Sequence, residues 1–510
     1  MEKVKKFLKN YYKDIIVLLI VAVSIIGFSR MSGINKATQL IVAMLMIIFS
    51  GIIIIVSKEK KLKEEIVFAG LVFVLGLGFA ISIPIGGIPD ERNHFLRAYE
   101  ITQGKIISNQ ESNGYFPKEI DEYFYNWQKL ESYKYDEYMK NVFTPNSGEL
   151  NEDSFPNTSL YSPICYIPQC IGIFIGRIFN LPILVTAYLA RISNLICFAI
   201  IVFFAIKLIP FYKKELAFVG LLPITLQEAA SLSADSLTIA ISFFFISYIM
   251  NLVFSKEEKI KTKDFIILLS TLIIISLSKI VYVPLILLLV LIPNERFKNN
   301  KDKWTKIGIL VVITLVINFI WLGISSSHLS EIREGVNEKE QVKYVLTNPI
   351  QYCKTFCKTI FVNFDFYIDG IVGQMLESYD VNLAKGYTFV SLVLIAGLCV
   401  TENSIYKLNI KQKIIILITF LAIIALIFTA LYVQWTPLYN PIIEGIQGRY
   451  FIPILMLLLI LVCDLFNRNS SGIDKKTGNF YLWYYFVIVN VYAISKIISA
   501  HILKWIFSLV

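Results

Sequence analysis

Residues Pro89 to Gly104, PDERNHFLRAYEITQG, set acid, base and cation side by side next to an apolar run. Wound as a helix, Asp90, His94 and Arg97 follow an i, i+4, i+7 spacing and fall on one stripe. A carboxylate, an imidazole and a guanidinium facing one small volume suit proton transfer and the holding of an anionic group. Glu91 neighbours Asp90 but points to another face, so the two cannot work as a paired dyad, and one of them acts. The plainer job for Asp90 is to cap the helix that Pro89 introduces. Capping alone leaves His94 and Arg97 on the same stripe unexplained. Asp90, Glu91 and His94 are therefore the catalytic candidates, with Arg97 on the substrate.

Other charges stand at the ends of apolar runs. Lys279, in SLSKIVYVPL, would cost roughly 2.5 to 3.5 kcal/mol at a bilayer centre, and nothing at the end of a short hairpin. Asp235, in AASLSADSLT, marks a turn where a helix N-cap is the simplest account. In EGIQGRYFIP, Arg449 follows Gly448, where backbone can approach a ligand and a guanidinium can fork onto phosphate oxygens. An interfacial arginine also serves as a headgroup anchor. Gln447 and Tyr450 beside it favour phosphate binding, and Arg191, Asp235, Lys279 and Tyr282 complete the substrate-binding set with Arg97. The three histidines, His94, His328 and His501, are too scattered for a local multi-histidine metal site. No cofactor or metal is expected, although Asp90 and Glu91 with other loop oxygens could hold a hard divalent ion.

These residues need a membrane scaffold to position them. The chain has 510 residues, is 56% apolar and carries a net charge of +10. Its lysines cluster in short loops between apolar runs, which fits orientation bias rather than a nucleic-acid partner. The basic N-terminus precedes an apolar stretch without a small-residue cleavage site, and reads as a retained first helix on the cytoplasmic side. About thirteen spans follow, near 14–29, 38–56, 66–85, 186–209, 215–228, 234–254, 264–278, 280–294, 306–325, 387–401, 412–433, 449–466 and 481–499. YSPICYIPQCIGIFIGRIF, interrupted by Pro163 and Pro168, reads as a re-entrant or interfacial helix. Lys213 and Lys214, Lys256 to Lys263, Asn294 to Lys306, Lys411, Lys413, Lys475 and Lys476 then fall inside.

The expected organisation is three spans over 1–85, a large extracytoplasmic loop with the catalytic motif over 86–185, central spans over 186–325, a second external region over 326–386 and C-terminal spans over 387–510. The first loop is rich in aromatics, including Tyr99, Tyr115, Tyr123, Tyr125, Trp127, Tyr133, Tyr135 and Tyr138. Their rings could stack on sugars, but packing is the weightier role. Seven cysteines, an odd count, argue against a disulfide framework. Only Cys353 and Cys357, at i, i+4, stand close enough to be considered as a pair.

IPDERNHFLRAYEITQG, YSPICYIPQ, AASLSADSLT, SLSKIVYVPL and GIQGRYFIPIL, in this order, resemble the domain-of-unknown-function 2142 family of bacterial membrane proteins. That family is similar in layout to GT-C glycosyltransferases, which carry an acidic residue in the first large external loop. The resemblance covers roughly residues 14 to 500. It implies an all-α polytopic GT-C-like bundle in a bacterial plasma membrane, with an extracytoplasmic active site and polyprenyl-phosphate sugars as donors. By this likeness Asp90 matches the loop acid, and Lys279 and Arg449 meet the phosphate. GT-C enzymes place this loop after their first span, whereas two further spans precede it here.

The expected reaction is glycosyl transfer from a polyprenyl-phosphate-linked sugar to a hydroxyl of a cell-wall polymer or surface glycan, with His94 and Arg97 orienting Asp90 or holding phosphate. A transporter or flippase of lipid-linked glycans is the first rival, against which the chain shows no repeated halves. A non-catalytic glycan-assembly protein is the second.

Overall fold

In the computed structural model the described residues are 9–507, apart from 21, 24–35, 109–112, 125–134, 256–258, 326–332, 334, 402–403 and 467–477. Part of the expected first span, Tyr125, Trp127, Tyr133, His328, Lys475 and Lys476 lie outside them. The helices used below are α1 (Lys36–Lys60), α2 (Glu64–Ser82), α3 (Glu91–Thr102), α4 (Ile167–Ile178), α5 (Ile183–Leu208), α6 (Lys213–Gly220), α7 (Pro223–Ala229), α8 (Asp235–Phe254), α9 (Thr262–Ser278) and α10 (Asn300–Ser325). They continue with α11 (Glu338–Thr347), α12 (Pro349–Val362), α13 (Phe364–Val372), α14 (Gly386–Thr401), α15 (Ile410–Gln434), α16 (Ile452–Phe466) and α17 (Gly478–Phe507).

Eight helices among the described residues are long and apolar enough to cross a membrane: α2, α5, α8, α10, α15, most of α1, the stretch Gly448–Phe466, and Leu482–His501 within α17. The protein is an integral membrane protein of mostly helical build. Strands are few: β1 (Asn113–Pro117) pairs antiparallel with β2 (Leu150–Ser154), and β3 (Met375–Leu376) with β4 (Val381–Asn382). Local sequence accounts for the helix ends. Glu64 and Glu65 open α2 against the positive end of its dipole, and Asn409 with Gln412 forms a capping box on α15.

Two expected spans take another form. Residues 215–228 are not one helix but α6 and α7, parted at Leu221 and Leu222 just before Pro223, whose ring cannot continue an α-helical ladder. The broken pair still joins the two ends of the bundle. Asn251 Nδ2 donates to Leu208 O at one end, and Asn194 Nδ2 donates to Ser231 O toward the other. Such a break is tolerated because protein surrounds it, and α7 is buried throughout. The second is 280–294, where Ile280–Leu291 forms a 3-10 helix of 12 residues containing Pro284. At about 2.0 Å per residue it covers about 24 Å, against about 18 Å for an α-helix of that length. Lys303 Nζ donates to Ile292 O at 2.6 Å and to Val290 O at 3.1 Å, satisfying carbonyls at its far end.

The segment before α5 has its own small core. Phe95, Phe116, Phe124 and Phe155 pack ring on ring beneath the β1–β2 hairpin. Tyr138 is buried there, accepting from Ile85 N at 2.9 Å and lying 2.7 Å from the Tyr188 hydroxyl. That is the packing role expected for the loop aromatics, whereas Tyr115 is exposed. The segment 163–178 is a 3-10 turn followed by α4, which is too short to cross a bilayer. It packs back on α5 so closely that a Cβ at Gly172 would stand 2.4 Å from Leu189 O. Cys353 and Cys357 are both free thiols.

Candidate functional site

Asp90 stands just before α3 with a left-handed backbone, φ 60°, and its carboxylate makes no capping hydrogen bond. That conformation costs roughly 1 to 2 kcal/mol for a residue with a Cβ, although aspartate tolerates it better than most. The side chain is exposed. The capping account of Asp90 therefore fails, and its carboxylate is presented to the surroundings instead.

One turn on, His94 is buried, with Nδ1 2.7 Å from the Tyr166 hydroxyl and its ring edge-on to Tyr161 at a centroid distance of 5.6 Å. Burial pushes the imidazole down to about 4, opposed by Asp90 and Asp235 and reinforced by Lys279 and Arg449. His94 is neutral at pH 7, and both carboxylates and both cations surround it. Burial likewise pushes the Tyr161 hydroxyl up to about 12.

The other two candidates from the PDERNHFLR segment, Arg97 on the stripe and Glu91 off it, do not join the site. Arg97 is fully buried, paired with Glu100 at 2.7 Å and donating to Ile106 O at 2.6 Å and Lys105 O at 3.3 Å. Its long side chain bends along α3 to the next turn, so sharing a stripe with Asp90 does not bring it to the same place. Glu91 is also buried. Arg191 Nε donates to its Oε1 at 2.7 Å and Arg191 Nη2 to its Oε2 at 2.5 Å, while Leu232 N and Gly86 N donate to the same two oxygens at 3.1 and 2.8 Å. Arg191 further donates to Ala80 O, Ile83 O and Pro84 O. The pair spends its hydrogen bonds on the fold. This corrects Glu91 as a catalytic candidate and Arg191 as a substrate contact.

Distant segments bring their charges to the same end. Asp235 is the first residue inside α8, and Ala234 holds the N-cap position that the sequence suggests for it. Asp235 pairs with Lys279, which sits between α9 and the 3-10 helix at the hairpin end. Lys279 Nζ also lies 4.8 Å from the centre of the Tyr450 ring. Arg449 Nη1 bonds Glu228 Oε1 at 2.9 Å, and its Nε is 3.8 Å from Asp235 Oδ2. Arg449 Nε and Glu228 Oε2 are buried without a hydrogen-bond partner. Tyr282 is buried and donates to Tyr450 O at 2.8 Å, so it fixes the backbone beside Arg449 rather than facing a ligand. Gly448, beside Arg449, lines the cavity that lies against this network. It packs on Gly370, and a Cβ on Gly448 would lie 2.5 Å from Gly370 C.

A small, partly open cavity of about 290 Å³ empty volume lies against this network, lined by Pro89, Gln227, Glu228, Glu377, Tyr379, Gln447 and Arg449 among others. Asp90, His94, Asp235, Lys279, Arg449 and Tyr450 thus come together, with Gln447 on the cavity wall. Glu91, Arg191 and Arg97 do not join them. Among the described residues no group of three or more His, Cys, Asp or Glu could hold a metal ion.

Sequence reasoning missed Glu228, Tyr161 and Tyr166, and the buried contact of His501 Nε2 with Glu377 Oε1 at 2.7 Å beside the cavity. Glu228 had a signal. A lone carboxylate in the apolar run LLPITLQEAA is expensive inside a membrane protein and calls for a partner. The His501 contact had none, because 124 residues separate it from Glu377.

The cluster as built offers one exposed carboxylate, one neutral imidazole and two cations already balanced by buried acids. That set can take up a proton and counter an incoming anion. No curated protein matches the chain, and no solved structure matches it. A family model described as a predicted membrane protein, DUF2142, matches residues 73–458, about three quarters of the sequence, and the chain belongs to that family.

Proposed function

We propose that the protein is a membrane glycosyltransferase of the GT-C type, moving a sugar from a polyprenyl-phosphate donor to a hydroxyl of a cell-wall polymer or surface glycan on the external face of a bacterial plasma membrane. The observation that carries this reading is the Asp90 carboxylate, exposed, uncapped and held by a left-handed backbone beside the Lys279 and Arg449 cluster. Asp90 takes the proton of the acceptor hydroxyl as its oxygen bonds to C1 of the sugar. The bond from C1 to the phosphate oxygen breaks, and polyprenyl phosphate leaves with the electron pair. Single displacement inverts the anomeric centre.

Lys279 and Arg449 offset the charge growing on the leaving phosphate. Their buried partners, Asp235 and Glu228, hold them in place before the substrate arrives. His94, neutral and bonded to Tyr166, is a positioning residue for the Asp90 side rather than a phosphate cation.

The test is Asp90→Asn in the purified, reconstituted chain, given a polyprenyl-phosphate sugar and a glycan acceptor. The amide keeps the size but cannot act as a base, so transfer should fall by about 10²-fold or more. Unchanged turnover removes Asp90 from the reaction. Lipid-linked sugar crossing the bilayer with no new glycosidic bond would replace the reading by transport.

A further inference from the structure

Helix α12 packs one face on the bundle and leaves the other uncovered. Tyr352 and Phe356 turn inward, stacking near Tyr432 and Phe428 of α15 at centroid distances of 5.3 and 4.8 Å. The Tyr352 hydroxyl lies 2.7 Å from Thr429 Oγ1, and Ile443 N donates to Thr359 Oγ1 at 3.0 Å. The opposite face carries Ile350, Cys353, Cys357 and Phe361, all exposed, Ile350 at 75% and Phe361 at 83%. At about 100° per residue these four span about 80° of arc, with Lys354 and Lys358 along one border. A soluble surface rarely carries such a stripe.

Depth identifies the occupant. Thr429 lies five residues before the end of α15, so α12 sits about 7.5 Å below that helix end at 1.5 Å per residue. The neighbouring surface of α15 is itself apolar and exposed, with Leu421 and Leu426 on it. The uncovered stripe of α12 thus lies beside an exposed apolar face of a helix long and apolar enough to cross a membrane, near that helix's end. Lys354 and Lys358 can rest their stems on the apolar stripe and reach headgroups with their ammonium ends. The chain then passes through α13, whose Gly370 packs on Gly448 beside Arg449.

We propose that α12 is an interfacial helix seated in the leaflet at the Asp90 end of the bundle, with its apolar stripe among acyl chains and its lysines on anionic headgroups. This stands apart from the reaction proposed above. A protein with any activity, or none, could carry such a helix.

The two exposed thiols supply the probe. The full chain is labelled with a bimane maleimide and reconstituted into phosphatidylglycerol–phosphatidylcholine vesicles, with Cys353→Ser/Cys357→Ser giving the background from other cysteines. Nitroxide lipids labelled near the glycerol should quench the probe severalfold more than aqueous iodide does. Lys354→Glu/Lys358→Glu, at exposed positions, should weaken lipid quenching in the anionic vesicles while leaving the helical circular dichroism unchanged. Iodide quenching that outweighs lipid quenching would overturn the proposal, and lipid quenching unmoved by charge reversal would overturn its lysine–headgroup part.

Discussion

His94 reports on the site because its burial outweighs the two carboxylates that would charge it. An imidazole signal lost in His94→Gln should titrate near 4 rather than at its ordinary value of 6.5. The sign follows from linkage. A base held below its unfolded value favours the folded state fully above about pH 6.5, and that contribution fades as pH falls toward 4. Turnover should therefore show no His94 step between about pH 5.5 and 8. A midpoint near 6.5 would mean that water reaches the ring. The Asp235–Lys279 pair gives a second expectation. Asp235→Asn strands a partly buried ammonium and should destabilise by about 3 kcal/mol, whereas adding Lys279→Gln should recover part of that loss, read by unfolding in detergent. Additive losses would mean that the two charges do not support one another.

At the scale of elements, α13 meets the turn that carries Arg449 through two glycines. Gly448→Ala would push a methyl to 2.5 Å from Gly370 C and Ile371 N, backbone atoms that cannot rotate aside. The expected cost is about 1 to 3 kcal/mol of overpacking, with Arg449 displaced and transfer lost. Gly308→Ala in α10, where a Cβ meets nothing within 4 Å, should be neutral or up to about 1 kcal/mol stabilising. Equal behaviour of the two variants in a thermal melt would refute the close contact. The long helices were legible in sequence because length and apolarity alone decide them, as in Glu64–Ser82 and Asp235–Phe254. The broken pair α6 and α7 was not, even though Pro223 marks the break, because a window average smooths over one proline. Ile280–Leu291 is legible as an apolar run, but its 3-10 winding is not, because hydropathy carries no record of the rise per residue.

Across the whole molecule, the Glu91–Arg191 pair fastens the segment before α5 to the bundle, joining the start of α3, the end of α2, α5 and the turn at Leu232. Each partner is visible in sequence as a charge near an apolar run, Glu91 reading as a catalytic candidate and Arg191 as a substrate contact. What sequence could not supply was the pairing itself, across 100 residues, which leaves Asp90 rather than Glu91 as the exposed acid. Arg191→Leu would leave a buried carboxylate with only two backbone amides, Gly86 N and Leu232 N, at a cost of about 3 to 5 kcal/mol. Because the clamp lies between the segment and the bundle, the loss should be regional. Amide hydrogen exchange should quicken in α3 and the β1–β2 hairpin. It should stay unchanged around Leu408, whose amide is held by Asp464 in a separate cluster with Lys413. Arg92→Ala removes the partly exposed bonds to Asp121 and Asp153, and should cost no more than about 1 kcal/mol. Faster exchange spread evenly over the chain in Arg191→Leu, or confined to neither region, would show that the clamp does not separate these two parts.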